Sequence, residues 1–228
     1  MIKNKTCFFF FLLCLSVLLA GCRTCEHRLP DESLHVLPIE TLVVFGFLPT
    51  PFSAEEGNTV RSSLTGSVFI AGPVPSEIPE QLTARLYDSL SRRLSVELIS
   101  PETSRQAFLT VRDSSYRSED KEIHRKTGET LLVDALLAGH VFRWQERTGT
   151  DYSVSRPASV AFELALLRVA DGSLVWKERF DKTQASLAEN VLDLKTFLAG
   201  KGRWMNVEDL AGIGLSELVE QLPVGKKE

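Results

Sequence analysis

The chain has 228 residues, of which 43% are hydrophobic and 25% are charged, and its formal net charge is −4 at pH 7. This length is sufficient for a single domain with its own hydrophobic core. The slightly acidic balance argues against a nucleic-acid-binding protein, because such proteins concentrate positive charge to neutralise phosphates.

The first residues have the pattern of an export signal. Lys3 and Lys5 precede an apolar run, Cys7–Leu19, which is shorter than the roughly 20 residues needed to span a bilayer. The run ends in Leu19-Ala20-Gly21-Cys22, which resembles the lipobox of bacterial lipoproteins. The alternative is an ordinary secretory signal followed by a chance cysteine.

The lipobox resemblance implies that residues 1–21 are a signal peptide, cleaved between Gly21 and Cys22. It also implies that Cys22 carries acyl chains such as palmitate, and this covalent lipid is the only non-protein group that we expect. Two or three acyl chains hold a protein durably on a membrane, at about 0.8 kcal/mol per buried methylene. Because Arg23 follows the cysteine where aspartate would signal inner-membrane retention, we favour the periplasmic face of the outer membrane over the inner membrane.

Cleavage would leave 207 residues, and the loss of Lys3 and Lys5 would leave 24 basic against 30 acidic residues, a net charge of −6. Cys25 would then be the only free thiol, so a disulfide framework within one chain is excluded. We predict a tether over residues 22–40, a single domain over residues 41–223 and a tail over residues 224–228.

The domain begins with a strand–helix–strand pattern. A buried strand is predicted at Glu40–Phe47, a helix at Ser76–Leu94 and a second strand at Val96–Ile99, so that the two strands run parallel. The helix carries one leucine stripe, formed by Leu82, Leu86, Leu90 and Leu94.

The connection from residue 48 to residue 75 is long for a compact domain. Its second half contains the apolar stretch Val68, Phe69 and Ile70 between glycines. We favour a short strand that folds back over the core, with a partner-binding or ligand-covering loop, or a disordered segment, as alternatives.

Two helices and a strand are predicted next. The first helix starts at Ser100-Pro101 with Phe108 and Leu109 facing inward, and the second starts near Ser118 with its charged residues exposed. The strand is predicted at Leu136–Gln145, and residues 147–157 connect it to the following hairpin.

The stretch Ala158–Gln184 predicts a β-hairpin. A loop of Asp171 and Gly172 alone would place leucines opposite Arg179 and Lys177. A loop of three residues with Gly172 at positive φ instead places apolar side chains opposite apolar ones. In this favoured register the cross-strand pairs are Leu166 with Trp176, Phe162 with Phe180, Glu163 with Arg179 and Val169 with Ser173. One face is then apolar and the other carries opposed charges.

Two helices are predicted at the carboxyl end, Ser186–Ala199 and a last helix capped by Asn206 with Asp209 at the capping-box position. Gly212 and Gly214 in the last helix suggest close packing. Its inward residues are predicted to be Leu210, Leu215, Leu218 and Leu222.

Together these elements predict an α/β (α+β) fold: a mixed sheet of about five strands, the first ones parallel and the last three an antiparallel meander, packed by helices. The residues at 42–47, 134–141 and 166–176 resemble the fold group of the CsgG and LpoB lipoproteins and the amino-terminal domain of TolB. The resemblance implies a cell-envelope protein, and the long connection at 48–75 departs from it.

No motif predicts catalysis. The four histidines do not have the spacing of a zinc site, and Glu55-Glu56 are interpreted as solvated charges. A glycan-stacking platform would depend on Trp144 and Trp204, because the hairpin register places Trp176 in the core.

The function that we favour is a non-catalytic binding or adaptor module for another envelope protein. The alternatives are a subunit of a CsgG-like export assembly and an envelope enzyme of unrecognised type. We expect a membrane contact through the lipid, one protein partner, no nucleic acid and no identified small-molecule substrate.

Overall fold

The structure, a computed structural model, describes residues 37–50, 58–114, 120–150, 153–185 and 204–227. The chain divides into two units, Met1–His35 and Val36–Glu228, and every described residue belongs to the second. In chain order the elements are β1 (Thr41–Pro49), β2 (Thr59–Arg61), β3 (Val68–Ile70), α1 (Ile78–Arg93), β4 (Glu97–Ile99), α2 (Pro101–Ser114), α3 (Asp120–Leu131), β5 (Ala135–Gln145), β6 (Thr148–Gly149), β7 (Val154–Arg156), β8 (Ser159–Arg168), β9 (Leu174–Thr183) and α4 (Val207–Gln221).

A five-stranded mixed sheet with the strand order β4-β1-β5-β8-β9 forms the centre of the domain. Strand β1 pairs in parallel with both β4 and β5, while β5, β8 and β9 form the antiparallel meander. The predicted fold class is therefore confirmed. Among the described helices, none is both long enough and apolar enough to cross a bilayer.

Each face of the sheet packs its own core. On one face, α1 and α4 bury the predicted leucine stripe of α1 against alternate residues of the central strands. On the other face, α2 and α3 pack over Val43, Leu136 and Val169. Residues that flank the predicted domain in sequence also pack against the core beneath α1 and α4. Leu37 and Ile39 contact this core, and Val224 is buried in it.

The last helix begins as the sequence predicts. Asn206 is its N-cap, and the side-chain Oδ1 of Asn206 accepts a hydrogen bond from the backbone N–H of Asp209 at 2.7 Å. The four predicted leucines are all buried. The predicted helix at 186–199 lies outside the described residues.

The hairpin of β8 and β9 has the predicted register from Phe162 to Leu166, including the pair of Glu163 with Arg179. The predicted pair of Val169 with Ser173 is wrong, because a bulge after Leu166 shifts the final pairs and Ser173 accepts a hydrogen bond from the N–H of Arg168. The N–H of Val169 donates to the carbonyl of Asp134, on the β5 side of β8.

Leu109 is the clearest misplaced side chain, since it is exposed rather than inward. Helix α2 places Ser104, Phe108 and Val111 against the sheet, and this spacing turns Leu109 toward solvent. The two connections at 48–75 and 147–157 each contain a short antiparallel pair, β2–β3 and β6–β7.

Candidate functional site

The β2–β3 hairpin contains the short strand that the sequence predicts to fold back over the core, β3, paired with a second strand, β2, that the sequence analysis does not predict. Its two strands are antiparallel, with Val60 opposite Phe69. Because side chains alternate along a strand, Phe69 is only 1% exposed whereas Val68 and Ile70 are 43% and 62% exposed. Two aliphatic side chains therefore remain on the outer face of an anchored ribbon.

Phe69 fixes the hairpin to the central sheet. Its ring stacks on that of Phe142 in β5, with the centroids 3.9 Å apart and the planes within 9° of parallel. The guanidinium carbon of Arg179 in β9 lies 4.6 Å from the centroid of the same ring. This side chain is an internal anchor and is not accessible to a partner.

The buried carboxylate of Glu163 holds the other end of the hairpin. Glu163 lies in β8 with 0% exposure, and its two oxygens accept hydrogen bonds from the hydroxyls of Ser62 and Thr65. The Ser62 hydroxyl oxygen also accepts bonds from the backbone N–H groups of Leu64 and Thr65, both at 3.1 Å. A buried carboxylate is costly unless it is hydrogen-bonded, so this network ties the β2–β3 turn to the sheet.

Two arginines join the outer strand β3 to the edge of the sheet. Arg143 donates to the carbonyl of Ile70 at 2.6 Å and to Asp181 at 2.7 Å. Arg179 donates to the carbonyl of Val68 at 3.2 Å and to the second oxygen of Asp181 at 2.8 Å. The backbone beneath the two exposed aliphatic side chains is therefore held in place before any partner binds.

The other predicted site residues lie elsewhere. Asp171 and Gly172 form the β8–β9 turn, where Gly172 has a φ of +67°. Ser173 lowers the pKa of Asp171, and its backbone N–H donates a hydrogen bond to Oδ1 of Asp171 at 3.0 Å. Gly21, Cys22 and the acidic pair at 55–56 lie outside the described residues.

The histidines of the described region are buried. His124 lies on the helix whose charged residues are predicted to be exposed, but it faces inward, with its ring packed against Phe45 and Phe108. Burial lowers the pKa of His124, against an opposing hydrogen bond to the carbonyl of Asp120. His140 lies beside the buried carboxylate, with its Nδ1 3.5 Å from Oε1 of Glu163.

The glycan-platform hypothesis is wrong for Trp144, which is 5% exposed and belongs to the core. Within the described ranges, His, Cys, Asp and Glu side chains form no group of three or more that could hold a metal ion.

Sequence reasoning missed the partners of Glu163, although a signal was present. Glu163 is the only charged residue between Ser159 and Leu167, and a charge inside such an apolar strand requires a hydrogen-bonding partner. The register correctly placed Arg179 opposite it. The carboxylate instead accepts hydrogen bonds from the hydroxyls of Ser62 and Thr65, which lie about a hundred residues earlier in the chain.

No protein-family model matches the sequence, and no curated protein matches it. Several solved structures are similar at low identity. The LpoB C-terminal domain from Salmonella enterica is 12% identical with a TM-score of 0.36, covering 64% of this chain and 83% of that chain. The PelC dodecamer from Paraburkholderia phytofirmans is 13% identical with a TM-score of 0.43, covering 81% and 88%. The lipoprotein GNA1162 from Neisseria meningitidis is 14% identical with a TM-score of 0.39, covering 71% and 93%.

Proposed function

We propose that this chain is a lipid-anchored lipoprotein of the bacterial outer membrane whose domain works in the periplasm as a non-catalytic binding module for another envelope protein. The lipobox at residues 19–22 supports the anchor. The partner contact is the outer face of the β2–β3 hairpin, and the observation that carries this assignment is the exposure of Val68 and Ile70 on a fully anchored ribbon.

The charges around this face indicate the chemistry of the partner segment that would bind there. Arg61 lies on the same outer face, opposite Val68, and Lys177 and Arg179 lie on the adjoining edge strand. All three side chains are exposed. An aliphatic patch bordered by cations is complementary to an apolar segment flanked by acidic residues. A prearranged backbone also lowers the ordering cost of binding.

The hydrogen bonding of the buried polar residues supports a structural role for them. Both oxygens of Glu163 are occupied by hydroxyls of the hairpin, and His140 is 8% exposed beside it. A general acid or base must reach the proton that it transfers. This carboxylate is already used to hold the contact face.

The adaptor is favoured over the export-assembly subunit. Among the described residues, the strands of ten residues or more are β5, β8 and β9, and all three pair within the central sheet. Size-exclusion chromatography of the detergent-solubilised protein separates the two: elution as a ring of many subunits would contradict the adaptor.

Site-specific photo-crosslinking in intact cells tests the contact face. A photo-reactive amino acid at Ile70 should give an adduct with one envelope protein. The matched control is the same amino acid at Leu109, an aliphatic residue that is 43% exposed but lies on α2. Equal adduct patterns at the two positions, or no adduct at Ile70, would overturn the assignment.

A second experiment separates contact from folding. Ile70→Lys should abolish adduct formation from a probe at Val68 while leaving the melting temperature unchanged, because the Ile70 side chain points to solvent. An undiminished adduct would show that the aliphatic face does not bind the partner.

A further inference from the structure

A cavity of about 780 Å³ lies at the end of the central sheet where β1 and β5 begin and β8 ends. Its walls are largely hydrocarbon and include Leu37, Ile39, Val133, Val169 and Val175. The volume falls within the roughly 300–1,000 Å³ of small-molecule sites.

The apolar lining has a structural origin. Leu37, Ile39 and Val175 belong to the core beneath α1 and α4, whereas Val133 and Val169 belong to the core beneath α2 and α3. The two cores reach the surface together at this end of the sheet. The cavity is therefore open to solvent and lined by side chains from both faces.

Leu132 lies at the mouth of this cavity and is unusual in both its exposure and its backbone conformation. Its side chain is 90% exposed, and its φ of +55° is the only positive value among the described residues other than glycine. It follows α3 at a position where glycine or asparagine is the usual residue. Neither the backbone conformation nor the exposure of a leucine favours folding, which indicates a role outside the fold.

The charged groups at the rim are mostly engaged. The Oδ2 of Asp134 accepts hydrogen bonds from the backbone N–H groups of Glu40 and Thr41 at 3.0 and 2.9 Å, and Glu129 pairs with Arg125. Arg168 is half exposed and is held by a single contact, 3.4 Å, to Asp171. The cavity thus combines a largely hydrocarbon interior with a rim of two carboxylates that already have partners, Glu129 and Asp134, and one cation, Arg168.

The predicted tether joins the domain in the wall of this cavity. Residues 37–39 line it, and Leu37 is fixed by a backbone hydrogen bond to the carbonyl of Pro223 at 2.9 Å. Fourteen residues lie between Cys22 and Leu37, so a fully extended tether spans at most about 50 Å. If the anchor of the proposed function is present, this end of the domain stays within reach of the bilayer.

We propose that the cavity binds one unbranched acyl chain with an anionic head, taken from the membrane, with the chain between the two cores, Leu132 against it and Arg168 facing the head. The membrane source of this ligand rests on the proposed lipid anchor. Binding itself is a property of the domain and is measured without it.

The test uses the full chain as Cys22→Ser, which carries no acyl chain of its own. Fluorescent cis-parinaric acid should bind with one saturable site and be displaced by palmitate. A second arm incubates the protein with phosphatidylglycerol vesicles and analyses the re-isolated protein for bound lipid. Palmitate binding alone assigns a free fatty acid and phospholipid capture assigns a membrane lipid, and either result supports the site. The absence of both overturns it.

Two matched variants locate the binding. Ala170 is an exposed turn residue that lines the cavity, so Ala170→Trp should lower the affinity for palmitate at least tenfold. Leu109→Trp introduces the same side chain at an exposed position of α2 and should leave the affinity unchanged. Equal affinities for the two variants would place the acyl chain elsewhere and overturn the proposal.

Leu132→Gly gives a readout that a structural role would not produce. Removing the side chain at positive φ should raise the melting temperature while weakening palmitate binding several-fold. Unchanged binding would overturn the role of Leu132. Because no partner protein enters this assay, its failure leaves the hairpin contact untouched, and failure of the crosslinking experiment leaves this site untouched.

Discussion

At the scale of single residues, the carboxylate of Glu163 determines where the β2–β3 hairpin lies. Its hydrogen bonds to Ser62 and Thr65 reach a segment about a hundred residues earlier in the chain. Removing one partner of a buried polar group leaves the other unsatisfied, at a cost of about 1–3 kcal/mol. The position of the contact face therefore depends on a residue that touches no partner.

Gly172 is a second single-residue determinant, since its φ of +67° lies in the region that favours glycine. We expect Gly172→Val to lower the free energy of unfolding by about 1–3 kcal/mol, because a β-branched residue is strained at positive φ. A Cβ there would also lie 2.8 Å from Cδ of Arg125.

Gly66 provides the comparison for that substitution. Its φ is +73° and no atom lies within 4 Å of the place that a Cβ would occupy, so Gly66→Val isolates backbone strain from crowding. Urea denaturation measures both variants. An unfolding curve of Gly172→Val identical to that of the parent would refute the turn conformation.

His124 makes stability depend on pH. Burial lowers its pKa, so the folded protein binds this proton more weakly than the unfolded chain does. The stabilising contribution is complete above the unfolded pKa of about 6.5 and is lost progressively as the pH falls below it toward the lowered folded value. Urea midpoints at pH 7.5 and 5.5 should show this loss.

The matched variant is His124→Phe, which retains an aromatic ring between Phe45 and Phe108. It should remove most of the difference between the two midpoints. An equal loss of stability in parent and variant would mean that another group carries the pH dependence.

At the scale of elements, α4 contains a natural pair of test positions. Gly214 packs against the ring of Phe180, which lies 2.4 Å from where a Cβ would be, whereas nothing lies within 4 Å of the Cβ position of Gly212. The close packing that the two glycines suggest is therefore present only at Gly214.

We expect Gly212→Ala to stabilise the protein by about 0.5–1 kcal/mol, because alanine is the better helix former. Gly214→Ala should destabilise it by about 1–3 kcal/mol, because α4 would have to move away from β9. Thermal melts of the two variants should shift in opposite directions. Shifts of the same sign would contradict this packing of α4.

At the scale of the whole molecule, membrane attachment is predicted to depend on one sulfur atom. Cys22→Ser should release the protein from the membrane fraction, since no acyl chain would remain. Cys25→Ser, three residues further on, is the control and should remain attached. Sedimentation of Cys22→Ser with membranes after a carbonate wash would show that acylation is not the anchor.

The amino-acid sequence by itself determined the elements whose signal is local. The leucine stripe of α1, the Asn206 cap and the alternation of Phe162, Leu166 and their partners predict helix, boundary and register, because periodicity and capping act over a few residues. Together with the order of the elements along the chain, these features predict the mixed sheet and its meander.

Only the tertiary structure decided which faces are covered. The hairpin side of β8 reads as a charged, solvent-facing surface, yet β2–β3 buries Glu163 there, and His124 is buried between two phenylalanines. The cavity beside Leu37 likewise exists only where three distant segments meet, the residues before β1, the end of α3 and the β8–β9 hairpin. Such contacts depend on how separate elements pack together, and no local pattern of residues encodes that arrangement.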